Sequence, residues 1–385
     1  METRESDYQE CQDAQEGRKI PIANIYHLLC YAWDFFELDA EVTVDTGDHR
    51  GYAELLTKVL TAGCVHLLKQ GLHRDYQSIT EHMRAIRGKL ELAPSLATGR
   101  LQQGIAVCTH DEFTSDIPAN QILKSVLLQM ARIPGMDAEV ASAARKVALR
   151  MTGVSIIEPN VRMLSRVRLH RNNRFYGFLL SICRLIMEAT SVNELKDALA
   201  ETERRFYGVI EKRLPALFEE FVRKFYQKHL VGTDGWRQAR RRNFEWQWKE
   251  LTLGAEAILP IMETDITLEH PDRKIILDTK FYNTGGISRE KFHSTNMYQL
   301  NSYVTQCAME ARARLERGEK PRHPHDIDCE GMLLYATVDE NDFCHRFQMP
   351  PHRMSVATVN LSRDWATIEA RLLEVLSLKL QGIPH

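Results

Sequence analysis

The chain has 385 residues, of which 44% are hydrophobic and 26% are charged, and its formal net charge is −2. This composition is that of a globular protein, and the length is sufficient for two or three domains. A protein that wraps duplex DNA unaided usually carries an excess of basic residues. We therefore do not expect this chain to bind DNA through its total charge alone. If the chain acts on nucleic acid, a local basic patch or a partner must bring the substrate.

Targeting and cofactor motifs are scarce. The eight cysteines contain no C-x-x-C pair, which predicts reduced thiols and no zinc site. The first twenty residues are polar and acidic, unlike a signal peptide, and no apolar run approaches the length of a membrane span. A phosphate-binding loop of the G-x-x-x-x-G-K-S/T type is also missing from the sequence. We therefore expect a cytoplasmic protein that does not bind a nucleotide by this motif.

The N-terminal half predicts a mixed domain. Residues 1–18 read as a disordered acidic tail, and a domain follows over 19–165. Asn24 is a candidate cap for its first helix. Apolar residues at helical spacing predict further helices, and runs broken by glycine and proline predict a small β-rich unit at about 75–110. The predicted helices are Tyr52–Gln70 and 119–150, and the predicted strands are Tyr76–Met83, Ile86–Leu92 and Gly104–Cys108.

The C-terminal half predicts an α/β (α+β) domain. A helical connector is expected over 166–206, and the domain itself over 207–385. It begins with a long amphipathic helix at 207–229. A hairpin, a helix, further strands and a last helix follow, and the strand–helix–strand crossover implies a mixed sheet flanked by helices. These elements are expected at about 255–282, 290–317, 331–338, 344–348 and 354–361, with Ser362 or Asp364 capping the last helix.

Three charged residues on the predicted hairpin are the strongest site candidates. Asp278 and Lys280 are two residues apart, so on a strand both point to one face. Asp265 lies on the preceding strand and can reach that face. Two carboxylates and an ammonium suit a hard divalent cation beside a phosphodiester. A solvated surface hairpin would carry similar charges, but these follow the apolar run Ile275–Leu277, where unused charge is costly.

Two helices offer supporting residues. Gln299 and Tyr303 are four apart on the helix after the hairpin, so they share a face that could hold DNA or orient the metal ligands. Glu219 and Glu220, on the helix before the sheet, could add an acid. Taken alone, polar residues in such positions more often belong to a solvated helix face.

Two basic segments are candidates for contacts with other molecules. The segment 236–248 mixes arginine with tryptophan, and arginine contacts phosphates without reading sequence. Helix-end charges and core tryptophans explain this segment equally well. Arg84, Arg87 and Lys89 form a second exposed basic patch on the β-rich unit.

These motifs, taken together, resemble the McrC family, the nuclease subunits of McrBC modification-dependent restriction systems. The resemblance rests on the segments Met262–Lys280 and Glu290–Leu300, on Ile20–Trp33, and on Thr358–Trp365. It covers the chain from about residue 20 to the end. Thr264 stands where the PD-(D/E)xK motif has proline, a mild departure because proline makes no metal contact.

The resemblance implies a fold, a reaction and a partner. It implies a PD-(D/E)xK nuclease domain in which Asp265 and Asp278 bind Mg²⁺, or Mn²⁺, and Lys280 completes the catalytic set, with Gln299 and Tyr303 as a Q-x-x-x-Y element. It further implies a partner, a hexameric McrB-like AAA+ GTPase, which binds the GTP, recognises DNA with modified cytosine such as 5-methylcytosine, and translocates that DNA. This chain would dock on the partner through its N-terminal part, cut the DNA and stimulate GTP hydrolysis. Arg84, Arg87 or Lys89 is a candidate for that stimulation. The alternative is an adaptor that only activates the NTPase and keeps a vestigial nuclease site.

Overall fold

The structure is a computed structural model. It describes residues 20–32, 51–167, 174–190, 199–247, 258–281, 294–338 and 342–377. The predicted acidic tail at 1–18 lies outside the described residues, as does the beginning of the matched segment at 290–293.

The described helices are numbered α1 to α10 in chain order. Their bounds are Ile22–Ala32, Tyr52–Gln70, Leu92–Ala97, Pro118–Met130, Ala138–Arg150, Val161–Leu164, Arg174–Ala189, Leu199–His229, Ser294–Glu316 and Trp365–Glu374. In the part of the chain that the structure describes, none of them is long and apolar enough to cross a membrane.

The strands, β1 to β9, form two sheets. Their bounds are Asp75–Met83, Lys89–Leu90, Ala106–Thr114, Gln238–Phe244, Met262–His270, Arg273–Phe281, Glu330–Thr337, Cys344–Met349 and His352–Asn360. The smaller sheet has the order β1-β3-β2, and the six-stranded sheet has the order β4-β5-β6-β7-β9-β8.

The chain divides into two compact units. Unit one contains the described residues of 1–36 and 212–385, and unit two contains those of 37–211. The boundary falls inside α8, between Glu211 and Lys212. The sequence prediction grouped 19–165 together, whereas α1 lies in unit one, with the large sheet.

Unit two is helical with the small antiparallel sheet. Its β-rich part differs from the prediction, because only Lys89 and Leu90 of the expected strand Ile86–Leu92 pair with β3. Gly88 has φ +70°, and a Cβ there would lie 2.3 Å from the carbonyl oxygen of Thr109, so the chain turns immediately before β2. The segment from Leu92 then forms α3 instead of extending the strand.

The helix predicted over 119–150 is two helices. The helix α4 ends at Met130, and α5 begins at Ala138, where Asp137 caps it by accepting from the backbone N–H groups of Glu139 and Val140. Pro134 and Gly135 fall between them, and this pair is a strong turn signal that the apolar periodicity concealed.

Unit one contains the mixed sheet that the sequence predicts. Strand β7 runs parallel to β6 and β9, while the other neighbours are antiparallel. The helix α9 connects β6 to β7 and covers one face. Leu300 and Val304 of α9 pack there against Ile276 and Leu333, forming a buried apolar core.

Helices α1, α8 and α10 form an aromatic layer in the same unit. Phe281 follows the alternation of β6 and faces away from α9, and its ring lies 6.4 Å from that of Phe218 on α8. Tyr31 and Trp365 pack on Phe221, each with ring centroids 5.3 Å apart.

Two cap predictions have different outcomes. Asn24 is inside α1 and does not cap it; its buried amide donates to the carbonyl oxygens of Leu361 and Arg363, at 2.8 and 2.7 Å. Of the two candidates for α10, Asp364 is the cap, accepting from the N–H of Thr367.

Candidate functional site

The candidate carboxylates lie where β5 and β6 stop pairing. The ladder runs from His270 opposite Arg273 to Ile266 opposite Leu277. Past that point β5 and β6 no longer pair with each other, and each keeps only its other neighbour, β4 and β7 respectively. Asp265 and Asp278 are the first residues beyond the last pair, so both stand at an opening between two strands of the same sheet.

A β-bulge occurs at Asp265. Arg240 pairs with Thr267 and Arg242 with Thr264, so one residue of β4 faces two residues of β5, Asp265 and Ile266. The hydroxyls of Thr264 and Thr267 lie 3.1 Å apart, although the two residues are three positions apart in the strand. The bulge therefore breaks the alternation of β5 and re-aims Asp265, as bulges near functional sites do.

Thr279 holds the carboxylate of Asp265. Its backbone N–H and its hydroxyl both donate to Asp265 Oδ2, each at 2.8 Å. The side chain thus accepts an N–H of β6 beyond the end of the β5–β6 ladder. Asp265 is fixed in place with its other oxygen left for a further partner.

Asp278 is a buried carboxylate with one cation beside it. Its side chain is 0% exposed, and Lys280 Nζ lies 2.7 Å from its Oδ2. Apart from this ion pair, neither carboxylate oxygen accepts a hydrogen bond from the described residues. Burial first, and then the charge of Asp265, raises the pKa of Asp278 to about 6, although Lys280 opposes the rise.

Lys280 links the carboxylates to α9. Its ammonium donates to Gln299 Oε1 at 3.2 Å, and the amide of Gln299 donates to the hydroxyl of Tyr303 at 2.9 Å. Burial is the main cause that raises the pKa of the Tyr303 phenol. The structure thus brings together five of the residues singled out from the sequence: Asp265, Asp278, Lys280, Gln299 and Tyr303.

Glu219 belongs to the same group of charges, whereas Glu220 has a different main partner. Burial, followed by the charge of Asp265, raises the pKa of Glu219, and the charge of Glu219 contributes to the raised pKa of Asp278. Arg241 Nη2 lies 2.6 Å from Glu219 Oε1 and 3.6 Å from Glu220 Oε2. Glu220 is paired mainly with Arg223.

The basic patch predicted on the β-rich unit lies in unit two. Arg84, Arg87 and Lys89 are exposed on the connection between β1 and β2 and at the start of β2. Lys89 pairs with Glu91 at 2.9 Å. We call these three residues the charged tip of unit two.

Thr279 and Arg241 were not singled out by the sequence. Thr279 stands between two candidate residues, and a hydroxyl inside an Asp-x-Lys pattern was the available signal. Arg241 was one of several arginines in a run, and nothing in the sequence distinguishes it from its neighbours. Its role depends on the bulge, which brings β4 opposite Asp265.

The donor set fits a hard divalent cation. Asp278 offers two buried oxygens, of which Oδ2 is paired with Lys280, and Asp265 offers the oxygen that Thr279 does not hold. Over the described ranges no group of three or more His, Cys, Asp or Glu side chains is placed to hold a metal. Two carboxylates are sufficient for Mg²⁺, which keeps several waters, and they are insufficient for a closed zinc site.

The comparisons with known proteins agree on one family. A sequence profile described as McrBC 5-methylcytosine restriction system component matches residues 14–315. The Type IV methyl-directed restriction enzyme EcoKMcrBC of Escherichia coli K12 is 28% identical over 361 residues, covering 92% of this chain and 97% of the relative. A solved assembly of Thermococcus gammatolerans McrB AAA+ hexamers with bound McrC has a chain that matches at TM-score 0.50 and 13% identity, covering 92% of this chain and 75% of that one.

The fold and the site define a two-unit α/β protein with a carboxylate–ammonium centre at an opening in a mixed sheet. Because the profile spans most of the sequence, the family follows directly. The chain belongs to the McrBC 5-methylcytosine restriction system component family.

Proposed function

We propose that this chain is the divalent-metal-dependent DNA endonuclease subunit of a modification-dependent restriction complex, with a PD-(D/E)xK site formed by Asp265, Asp278 and Lys280. The observation that carries the proposal is Asp278. A carboxylate that is fully buried, and whose partner among the described residues is a single ammonium, Lys280, is costly to keep ionised. Such a cost is typical of a group reserved for a ligand.

Asp265 and Asp278 would hold the metal, which is Mg²⁺ in this proposal, with Mn²⁺ as a substitute. When bound, it supplies charge stabilisation at the phosphate and a water of lowered pKa. The chain's own groups do the positioning. Thr279 fixes Asp265, and the Gln299–Tyr303 pair orients Lys280, whose ammonium can neutralise charge that develops on a phosphodiester.

The partner in this proposal is a hexameric McrB-like AAA+ GTPase. Two similarities support it: the solved relative is bound to McrB AAA+ hexamers, and the family is that of 5-methylcytosine restriction components. The chain has no phosphate-binding loop of its own, so GTP would be bound by the partner. Recognition of modified cytosine and translocation of the DNA would likewise belong to the partner, and the complex would act in the cytoplasm.

The site assignment is tested with Asp278→Asn and Lys280→Met in the complex with the partner, on methylated duplex DNA with GTP and Mg²⁺. We expect cleavage to fall by about 100-fold or more, since a group that stabilises developing charge is lost. Stimulation of the partner's GTP hydrolysis should be unchanged. Asp272→Asn is the matched control, because that carboxylate is on the hairpin turn and is 86% exposed.

Normal cleavage by both site variants would contradict the assignment. Absence of cleavage by the unmodified complex, with GTPase stimulation intact, would instead support the adaptor reading in which the site is vestigial.

A further inference from the structure

A basic groove runs along β4, the edge strand of the large sheet. Its volume is about 490 Å³. Four arginines line it, together with two amide residues and the carboxylates of Glu263 and Glu269. The arginines are Arg240, Arg241, Arg242 and Arg322. The net charge of the lining is therefore positive, in a chain whose total charge is −2.

The four guanidinium groups are not equally available. Arg242 is buried, and it pairs with Asp326 at 3.3 Å and Glu310 at 3.5 Å. Arg241 is held by Glu219. Arg322 is half exposed, with Glu310 as its ion-pair partner at 3.3 Å.

Arg240 differs from the other three because it is exposed and has no side-chain partner in the described part of the chain. Arg240 and Arg322 are thus the donors that the groove offers to a ligand.

The groove is adjacent to the candidate site. Arg240 pairs with Thr267, which is two residues beyond Asp265 on β5. Arg241, which lines the groove, is paired at 2.6 Å with Glu219, which belongs to the charges of the candidate site. Strand β4 is at one edge of the sheet, and no other described strand pairs with its outer side, which leaves room for a polymer as well as for a small anion.

We propose that this groove binds the phosphodiester backbone of duplex DNA beside the site of cleavage, with Arg240 and Arg322 as phosphate donors. The inference rests on the proposed nuclease function and adds the surface that places the substrate. Arginine contacts to phosphate fix the register of a duplex without reading its sequence. The groove also supplies the local basic patch that the low total charge of the chain requires.

The test is the binding of a fluorescent duplex to the full chain, at several salt concentrations and without divalent metal. Arg240→Ala combined with Arg322→Ala should raise the Kd by about tenfold or more. It should also reduce the slope of log K against log salt by about 2, because each lost phosphate contact removes about 0.9. Arg312→Ala combined with Arg353→Ala is the control, since both of these arginines are exposed and lie off β4.

Binding by the groove and cleavage by the site are separable. Asp278→Asn should bind the duplex normally while failing to cut it in the complex. If that variant cuts normally, the proposed site fails while the groove still stands on its own binding data.

Three results would overturn the proposal that the groove binds DNA. They are no binding of the duplex by the unmodified chain at low salt, an unchanged Kd and salt slope in the double variant, and an equal loss of affinity in the control variant. Inorganic phosphate and free GTP serve as competitors. Displacement of the duplex by either at micromolar concentration would assign the groove to a small anion instead.

Discussion

At the scale of single residues, Asp278 shows the energetic cost of the candidate site. Its pKa of about 6 in the folded chain is above the ordinary value of 3.8, so the folded state holds this proton more tightly than the unfolded state. Stability contributed by the protonated carboxyl is therefore present at low pH and is lost as pH rises through about 6. The cost at neutral pH is up to about 3 kcal/mol, and a bound cation would offset it.

We expect Asp278→Asn to stabilise the metal-free chain at pH 8 by about 1–3 kcal/mol, because the buried charge is removed. The gain should shrink as pH falls toward 4. Thermal unfolding by calorimetry measures both effects. Adding Mn²⁺ or Mg²⁺ should raise the Tm of the unmodified chain and leave that of the variant unchanged. Equal responses of the two proteins to metal would rule out Asp278 as a ligand, and Asp272→Asn should behave like the unmodified chain.

At the scale of elements, a buried ionic network ties the sheet to the segment after α9. Lys274 on β6 is fully buried and pairs with Asp326, which also accepts from Arg242 on β4. Burial alone would raise the pKa of Asp326, but Lys274 and Arg242 outweigh it and lower that pKa. The network fixes β4, and with it the groove and Arg241, against the sheet interior.

Replacing Lys274 by methionine should destabilise unit one by about 3 kcal/mol. The substitution removes one of the two cations that pair with the buried Asp326 and leaves only Arg242, and breaking a buried ion pair by removing one partner is strongly destabilising. Urea denaturation, followed by tryptophan fluorescence, measures the loss. Lys320→Met, at an exposed position after α9, should change the midpoint little. A Lys274→Met variant as stable as that control would show that the network contributes little to stability.

At the scale of the whole molecule, the two units carry different candidate surfaces. Unit one contains the carboxylates, Lys280 and the groove, whereas unit two contains the charged tip at Arg84, Arg87 and Lys89. We propose that the tip acts on the nucleotide site of the partner ring, where an added charge can order a loop or water.

If the tip acts in this way, at least one of Arg84→Ala, Arg87→Ala and Lys89→Ala should lower the stimulated GTPase rate of the partner about tenfold or more. Binding of duplex DNA and the metal-induced rise in Tm should remain, because these belong to unit one. The GTPase rate at saturating concentrations of the chain is the measurement. Lys146→Ala is the control, since Lys146 is exposed on α5 of the same unit. Full stimulation by all three variants would exclude the tip.

Much of the C-terminal half followed from the sequence alone. The apolar run before Asp278, the hairpin turn at Pro271 and Asp272, and the helix that carries Gln299 and Tyr303 are local patterns. Such patterns can be predicted from the sequence because strand alternation and helical spacing are set by the geometry of the backbone. The mixed sheet also followed, since a helix between two strands implies a parallel crossover.

The tertiary structure decided what depends on distant partners. The bulge at Asp265 exists only because β4 pairs with β5 one residue out of step, and the roles of Thr279 and Arg241 follow from it. The sequence predicts Asn24 as a helix cap, but in the structure its amide donates to carbonyl groups more than 300 residues away. Local propensity contains no information about such contacts. The sequence therefore determined which side chains carry the candidate chemistry, and the packing of the sheet determined how they are held and what lies beside them.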